Sequence, residues 1–122
     1  MVDKLRPDNV RDRVTAGKLD RRIVILRASV TQDPGSGENV ETWGEYATVW
    51  ASWRRASARE TLAASEVSAE VTDVFHCAWS PKMADVNAKD RISYAGRVYN
   101  ISEAAEIGRR EGIMLRGAAR AE

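Results

Sequence analysis

A chain of 122 residues has room for one domain with one modest core. With 43% hydrophobic and 30% charged residues it has the composition of an ordinary folding chain, and 19 basic against 18 acidic residues leave a net charge of +1, which argues against a strongly basic nucleic-acid binder. Cys77 is the single cysteine, so no disulfide framework can form and a reducing compartment is compatible.

Residues 1–19 are polar, contain Pro7 and Gly17 and follow no steady period. They read as an N-terminal arm or short helix that gains order only by docking, leaving residues 20–122 as one β domain. The opening MVDKLRPDNVRDRV lacks the apolar core of a signal peptide, and no apolar run approaches the roughly 20 residues that span a bilayer. The expected location is the cytoplasm of the cell that makes the chain. Ile23 to Val30 is a β-branched and aliphatic run that predicts a first strand. Residues 31–45 follow, with Asp33-Pro34-Gly35, Gly37 and Asn39, and read as a long flexible turn. Its charged residues are all acids, Asp33, Glu38, Glu41 and Glu45, which suggests contact with a basic partner face.

A second strand is predicted within Tyr46–Arg55, with Val49, Ala51 and Trp53 on one face and Thr48, Trp50 and Ser52 on the other. Ser57 followed three residues later by Glu60 is a capping-box signature. The helix it opens has a thin apolar stripe, and at about ten residues it needs a neighbour to hold it. Residues 71–80 predict a third strand, alternating Phe75, Cys77 and Trp79 against Val74, His76 and Ala78 and ended by Pro81. A hairpin over Ala95-Gly96 pairs Ile92 and Tyr94 with Val98, Tyr99 and Ile101; a further hairpin places Ile107 before its turn and Ile113 and Leu115 after it. The expected fold is mainly β: a small antiparallel barrel or sandwich of about six strands with one short helix and a polar arm.

Chemistry is sparse. His76 is the only histidine, and its neighbour Cys77 points to the opposite face of a strand, so a packed strand position outweighs a catalytic dyad. One His and one Cys fall short of a structural zinc's four ligands. Glu66 and Glu70 share a helical face but read as solvated, and the Gly-Ser-Gly at 35–37 lacks the lysine and helix of a phosphate loop. No catalytic residue, metal or cofactor is expected. Trp43, Trp50, Trp53 and Trp79 suit a core or a subunit interface better than base stacking, because only Arg54 and Arg55 lie among them in sequence.

The succession GKLDRRIVILR, ETWGEYATVWASW, ARETLAASEVSAEVTD and DRISYAGRVYNI, from Gly17 to Ile101, resembles the head-tail joining or head-closure (stopper) proteins of tailed bacteriophages and related particles. The pieces that carry it are Leu19-Asp20-Arg21-Arg22, Val49-Trp50-Ala51, Arg59-Glu60, and the hairpin from Arg91-Ile92 through Gly96-Arg97 to Tyr99 and Ile101. The residues before Gly17 are longer than the family's usual start, and the C-terminal hairpin matches loosely.

The resemblance implies a small barrel without enzymatic activity. It implies a homo-oligomeric ring, dodecameric in the particle, with portal or adaptor above, tail proteins below and double-stranded DNA passing through. The implied location is the virion at the head-tail interface, after a cytoplasmic stage and with no membrane. In such a ring the segment holding Ser57, Glu60, Leu62, Glu66, Val67 and Glu70 is the candidate channel or gate, with its acids and Asp73 repelling phosphate. Asp33, Glu38, Glu41 and Glu45 are the candidate docking residues. A fixed helix plugging the barrel's end is the plain alternative for the gate segment. For the whole chain the alternatives are a tail-terminator or adaptor subunit of the same particle, and a single-strand nucleic-acid-binding barrel.

Overall fold

The computed structural model describes residues 19–120; the arm expected over residues 1–19 lies outside them apart from Leu19. Six strands and two short helices follow in order: β1 Arg21–Gln32, β2 Asn39–Arg55, α1 Ala58–Ser65, β3 Asp73–Cys77, α2 Pro81–Ala84, β4 Arg91–Tyr94, β5 Arg97–Ile107 and β6 Gly112–Ala119. The strands close into an antiparallel barrel in the order β1-β2-β3-β6-β5-β4, which settles the barrel-or-sandwich alternative. Closure gives the strands partners on both sides near the barrel's waist.

Alternation along each strand decides what enters the interior. Ile23 and Ile25 of β1, Ala47 and Ala51 of β2, Phe75 and Cys77 of β3, Ile92 of β4, Tyr99 and Ile101 of β5, and Ile113 and Leu115 of β6 form one buried cluster. Phe75 sits at its centre and meets Tyr94 and Tyr99 edge-to-face, with centroids 5.6 and 5.4 Å away. The expected faces of β2 hold, with Ala51 buried and Trp50 exposed. The third strand is shorter than expected. It ends at Cys77, and Trp79 packs against the core from the connection that follows.

Register fixes the two ends of the barrel. Arg21 pairs with Ala51, Asp73 with both Arg55 and Gly117, and Tyr94 with Arg97. The start of β1, the end of β2, α1 and the β4–β5 turn therefore share one end. That turn is the expected Ala95-Gly96, with φ of 53° and 79°, the positive values a two-residue I′ turn requires. At this end Gly117 of β6 also crosses β5 so closely that a Cβ would lie 2.9 Å from the Asn100 carbonyl oxygen. The opposite end holds the β1–β2 turn, α2 and the β5–β6 turn. β2 is 17 residues long, roughly 55 Å at about 3.3 Å per residue, so it joins the two ends and runs on beyond the barrel.

The barrel is plugged at this second end by a helix absent from the sequence expectations. Ser80 caps α2 by accepting from the Met83 backbone N–H, Pro81 occupies its first turn, and Met83 and Val86 are 1% and 5% exposed within the core. Ser-Pro ahead of a helix is a readable start signal. A four-residue helix is too short to show a period.

Candidate assembly surfaces

The acidic segment is not a long flexible turn. β1 continues to Gln32 and β2 begins at Asn39, and the two stay paired from Arg27↔Gly44 through Ala28↔Trp43 and Val30↔Glu41 to Gln32↔Asn39. Only Asp33–Glu38 turns the chain. There the Asp33 carboxylate accepts from the Gly35 N–H and the Ser36 hydroxyl, and the Glu38 carbonyl accepts from the Asp33 N–H at 2.7 Å. The Gly35 bond holds Asp33 below the usual carboxylate range. The alternation of Thr31, Val40 and Thr42 with polar residues was the missed strand signal, masked by the glycines and proline between them.

The ribbon is braced at its base by a cluster no local pattern reveals. The Arg27 guanidinium donates from Nε to Asp90 Oδ1 at 3.0 Å and from Nη2 to Asp90 Oδ2 at 2.9 Å, and from Nη1 to Asp85 Oδ2 at 2.8 Å. It lies 3.8 Å from the Tyr46 ring centroid. Asp90 is 3% exposed and the Arg27 side chain 30%, so the bidentate pair joins a buried carboxylate to a partly exposed guanidinium. The Asp90 bond raises the Arg27 pKa, and the Arg27 bond holds Asp85 low.

Of the four candidate docking acids, two are engaged within the ribbon. Asp33 shapes the turn, and Glu45 accepts from the Thr48 hydroxyl. Glu38 and Glu41 are exposed, beside the exposed Val30 and Val40. Acidic and apolar groups thus project together from this end.

At the other end the capping box is present in both directions: Ser57 Oγ accepts from the Glu60 N–H and Glu60 Oε1 from the Ser57 N–H. The helix is shorter than the expected segment. It ends at Ser65 with Glu66 as C-cap, and Val67 and Glu70 lie beyond it. Glu60 is also gripped by Arg54 at 2.7 Å and approached by Arg116 at 3.5 Å, and Arg116 pairs with Glu103. The Arg54 bond drives the Glu60 carboxyl well below its ordinary range.

α1 buries no residue, so the plug reading does not describe it; the plug is α2, at the other end. Leu62 and Val67 are 64% and 75% exposed, but on different faces. Val67 borders a groove against the barrel wall that Leu62 does not line. The segment's charge is also smaller than its sequence suggests. Asp73 is buried inside the barrel, accepting from Trp53 Nε1 and Thr72 Oγ1 at 2.6 Å each. With Glu60 clamped, Glu66 and Glu70 are its exposed carboxylates.

The tryptophans find arginines that the linear sequence separates from them. Arg22, the register partner of Trp50, lies 4.8 Å from its ring centroid; Arg91 stacks on Trp43 at 3.9 Å, Arg21 on Trp53 at 5.7 Å and Arg110 on Trp79 at 4.9 Å. Each guanidinium covers one face of its ring, so the tryptophans have in space the basic neighbours that the linear sequence does not show. Among the described residues no group of three or more His, Cys, Asp or Glu could hold a metal. Burial pushes the Cys77 thiol up to about 12, which leaves it un-ionised and inert near neutral pH. No helix among the described residues is long and apolar enough to cross a membrane.

The solution structure of protein SF1141 from Shigella flexneri 2a superimposes with a TM-score of 0.73 and 30% identity, covering 89% of this chain and 99% of that one. A chain in the virion of a native gene transfer agent particle shares the fold at a TM-score of 0.50 and 16% identity, over 82% of this chain and 92% of that one. Among curated proteins no sequence matches significantly. The sequence profile of the phage head completion proteins matches residues 14–119, nearly the whole barrel with both of its ends. The chain therefore belongs to the phage head completion protein family and is a structural, non-enzymatic component of the virion.

Proposed function

We propose that this chain is a subunit of the ring that closes the filled head, seated between the portal or its adaptor and the tail, where it retains packaged double-stranded DNA and docks the tail. The observation that carries the reading is the division of the barrel into two chemically different ends around an inert core. One projects a braced ribbon with Glu38, Glu41, Val30 and Val40; the other carries a helix held by its cap and the Glu60 ion pair, with Leu62 and Val67 exposed. A ring subunit needs distinct lateral and axial surfaces, and heterologous contacts between neighbours close a ring.

In this reading the ribbon meets a basic face of an axial partner, Glu38 and Glu41 supplying the charge. The α1 segment is the element able to change state. It is anchored by its cap and by Glu60, and an eight-residue helix is marginal by itself. Neighbouring copies packing on Leu62 and Val67 would narrow the channel until tail attachment opens it. The free subunit, a small barrel without staples, is a monomer or loose oligomer and forms the ring on its adaptor in the particle, after a cytoplasmic stage.

Particles assembled without the chain test the reading. They should contain packaged DNA that escapes on dilution and should lack tails, and added protein should restore both retention and infectivity. Tailed, DNA-retaining particles formed in its absence would overturn it. Deleting residues 62–67 separates the gate from the rest: rings should still form while DNA leaks, and full retention by such particles excludes gating by α1.

A further inference from the structure

Between α1 and the outer wall of the barrel lies a groove of about 430 Å³, walled by Ala64, Val67 and Val71 and rimmed by Arg59, Glu103 and Arg116. It is an apolar surface beside a helix that buries nothing of its own. We propose that the N-terminal arm docks in this groove of its own subunit. Val10 and Val14 enter between helix and wall, and the arm's basic residues face Glu66 and Glu70.

Three observations select the arm as occupant. The first is where it enters: β1 begins at Arg21, paired with Ala51 four residues before the end of β2, so the preceding chain leaves the barrel at the α1 end. Eighteen residues precede Leu19 and reach up to about 60 Å when extended, whereas six strands about 4.8 Å apart enclose a barrel only some 10–15 Å across. The second is charge. The arm carries Lys4, Arg6, Arg11, Arg13 and Lys18 against Asp3, Asp8 and Asp12. Glu66 and Glu70, next in sequence to the lining residues Val67 and Ala69, are exposed; of the lining arginines, Arg116 is neutralised by Glu60 and Glu103, which leaves Arg59 as the single opposing charge. The third is composition. Met1, Val2, Leu5, Val10, Val14 and Ala16 interrupt a mostly polar arm, and Val10 and Val14, four residues apart, have the spacing that shares a side of a helical turn. The family profile begins only at residue 14, so most of the arm is an addition to the shared barrel, attached at the end where that barrel leaves an apolar groove open.

The proposal does not rest on the ring reading, because it concerns the isolated subunit. Its test uses the full chain with Val10→Cys and Val67→Cys, compared with a second variant carrying Val10→Cys and Leu62→Cys, at the same end of the barrel but off the groove. Cys77 stays out of the reaction through burial, and Val67 and Leu62 are exposed enough that the replacements leave the fold intact by circular dichroism. Under mild oxidation of an equal mixture of isotopically light and heavy protein, mass spectrometry should find disulfides within single chains. Closure should be at least about tenfold faster for the 10–67 pair, as expected when docking raises the effective concentration. Adding Glu66→Lys and Glu70→Lys should slow that closure several-fold. Equal rates for the two pairs, bridges only between light and heavy chains, or a rate indifferent to the charge reversal would each overturn it.

Discussion

At one end of the barrel the β1–β2 ribbon stands on Arg27, whose guanidinium binds Asp90 and Asp85 and stacks on Tyr46, and beneath it Met83 and Val86 of the α2 segment fill the core. At the other end α1 touches the barrel through the Glu60 clamp and buries no residue. Both segments are exposed, charged and bordered by Gly, Ser or Ala, so composition alone would give them similar rigidity. The difference lies in what anchors each. A bidentate pair on a buried carboxylate and a strand ladder hold the ribbon; a more exposed charge pair and one cap hold the helix. By this contrast more of the ribbon's anchoring is buried than the helix's.

The largest expected effect tests the ribbon's base. Arg27→Met leaves the buried Asp90 carboxylate without its cation and should destabilise the fold by about 2–4 kcal/mol, read as a lower midpoint in urea unfolding. A loss below that of an ordinary surface change would erase the contrast between the ends. Next comes Glu60→Gln, which removes the charge that Arg54 and Arg116 hold while leaving a side-chain oxygen to complete the capping box. Because Arg54 is 45% exposed, solvent screening limits the loss to about 1 kcal/mol. Its pH dependence has a definite sign. Glu60 sits below its usual 4.5 in the fold, so its contribution is complete above that pH and declines as pH falls below it. Stability curves of wild type and Glu60→Gln should therefore converge in acid; curves that stay parallel to the acid limit would show that the charge is not what holds α1.

A smaller change sharpens the picture of the helix end. Ala95 occupies the left-handed region at φ 53°, which asparagine tolerates better, so Ala95→Asn should stabilise the barrel by about 0.5 kcal/mol as a small rise in Tm. Smallest of all is charge reversal of Glu38 and Glu41. Both are exposed, so stability should move by no more than about 0.5 kcal/mol while attachment to the axial partner weakens. A large drop in Tm with attachment preserved would make the ribbon's acids structural.

Local chemistry was enough for a good part of this protein. The β-branched run from Ile23 and the strand patterns around Phe75, Ile92 and Ile113 specified strands, Ala95-Gly96 specified a hairpin, and Ser57 with Glu60 specified a helix start, because each depends on residues within a few positions of one another. The same order of motifs carried the resemblance to head-closure proteins that the family match over residues 14–119 bears out. Tertiary structure decided the rest. Arg27 and Asp90 are 63 residues apart, and no local signal announces their pairing. The acidic ribbon is strand because β1 and β2 continue their ladder outward, overriding the turn propensity of its glycines and proline. Trp50 meets Arg22 through register, and Asp73 is buried because Trp53 and Thr72 satisfy it inside the barrel. Propensity and capping act over one turn of chain, whereas burial, register and ion pairing depend on which distant segments the closed barrel brings together.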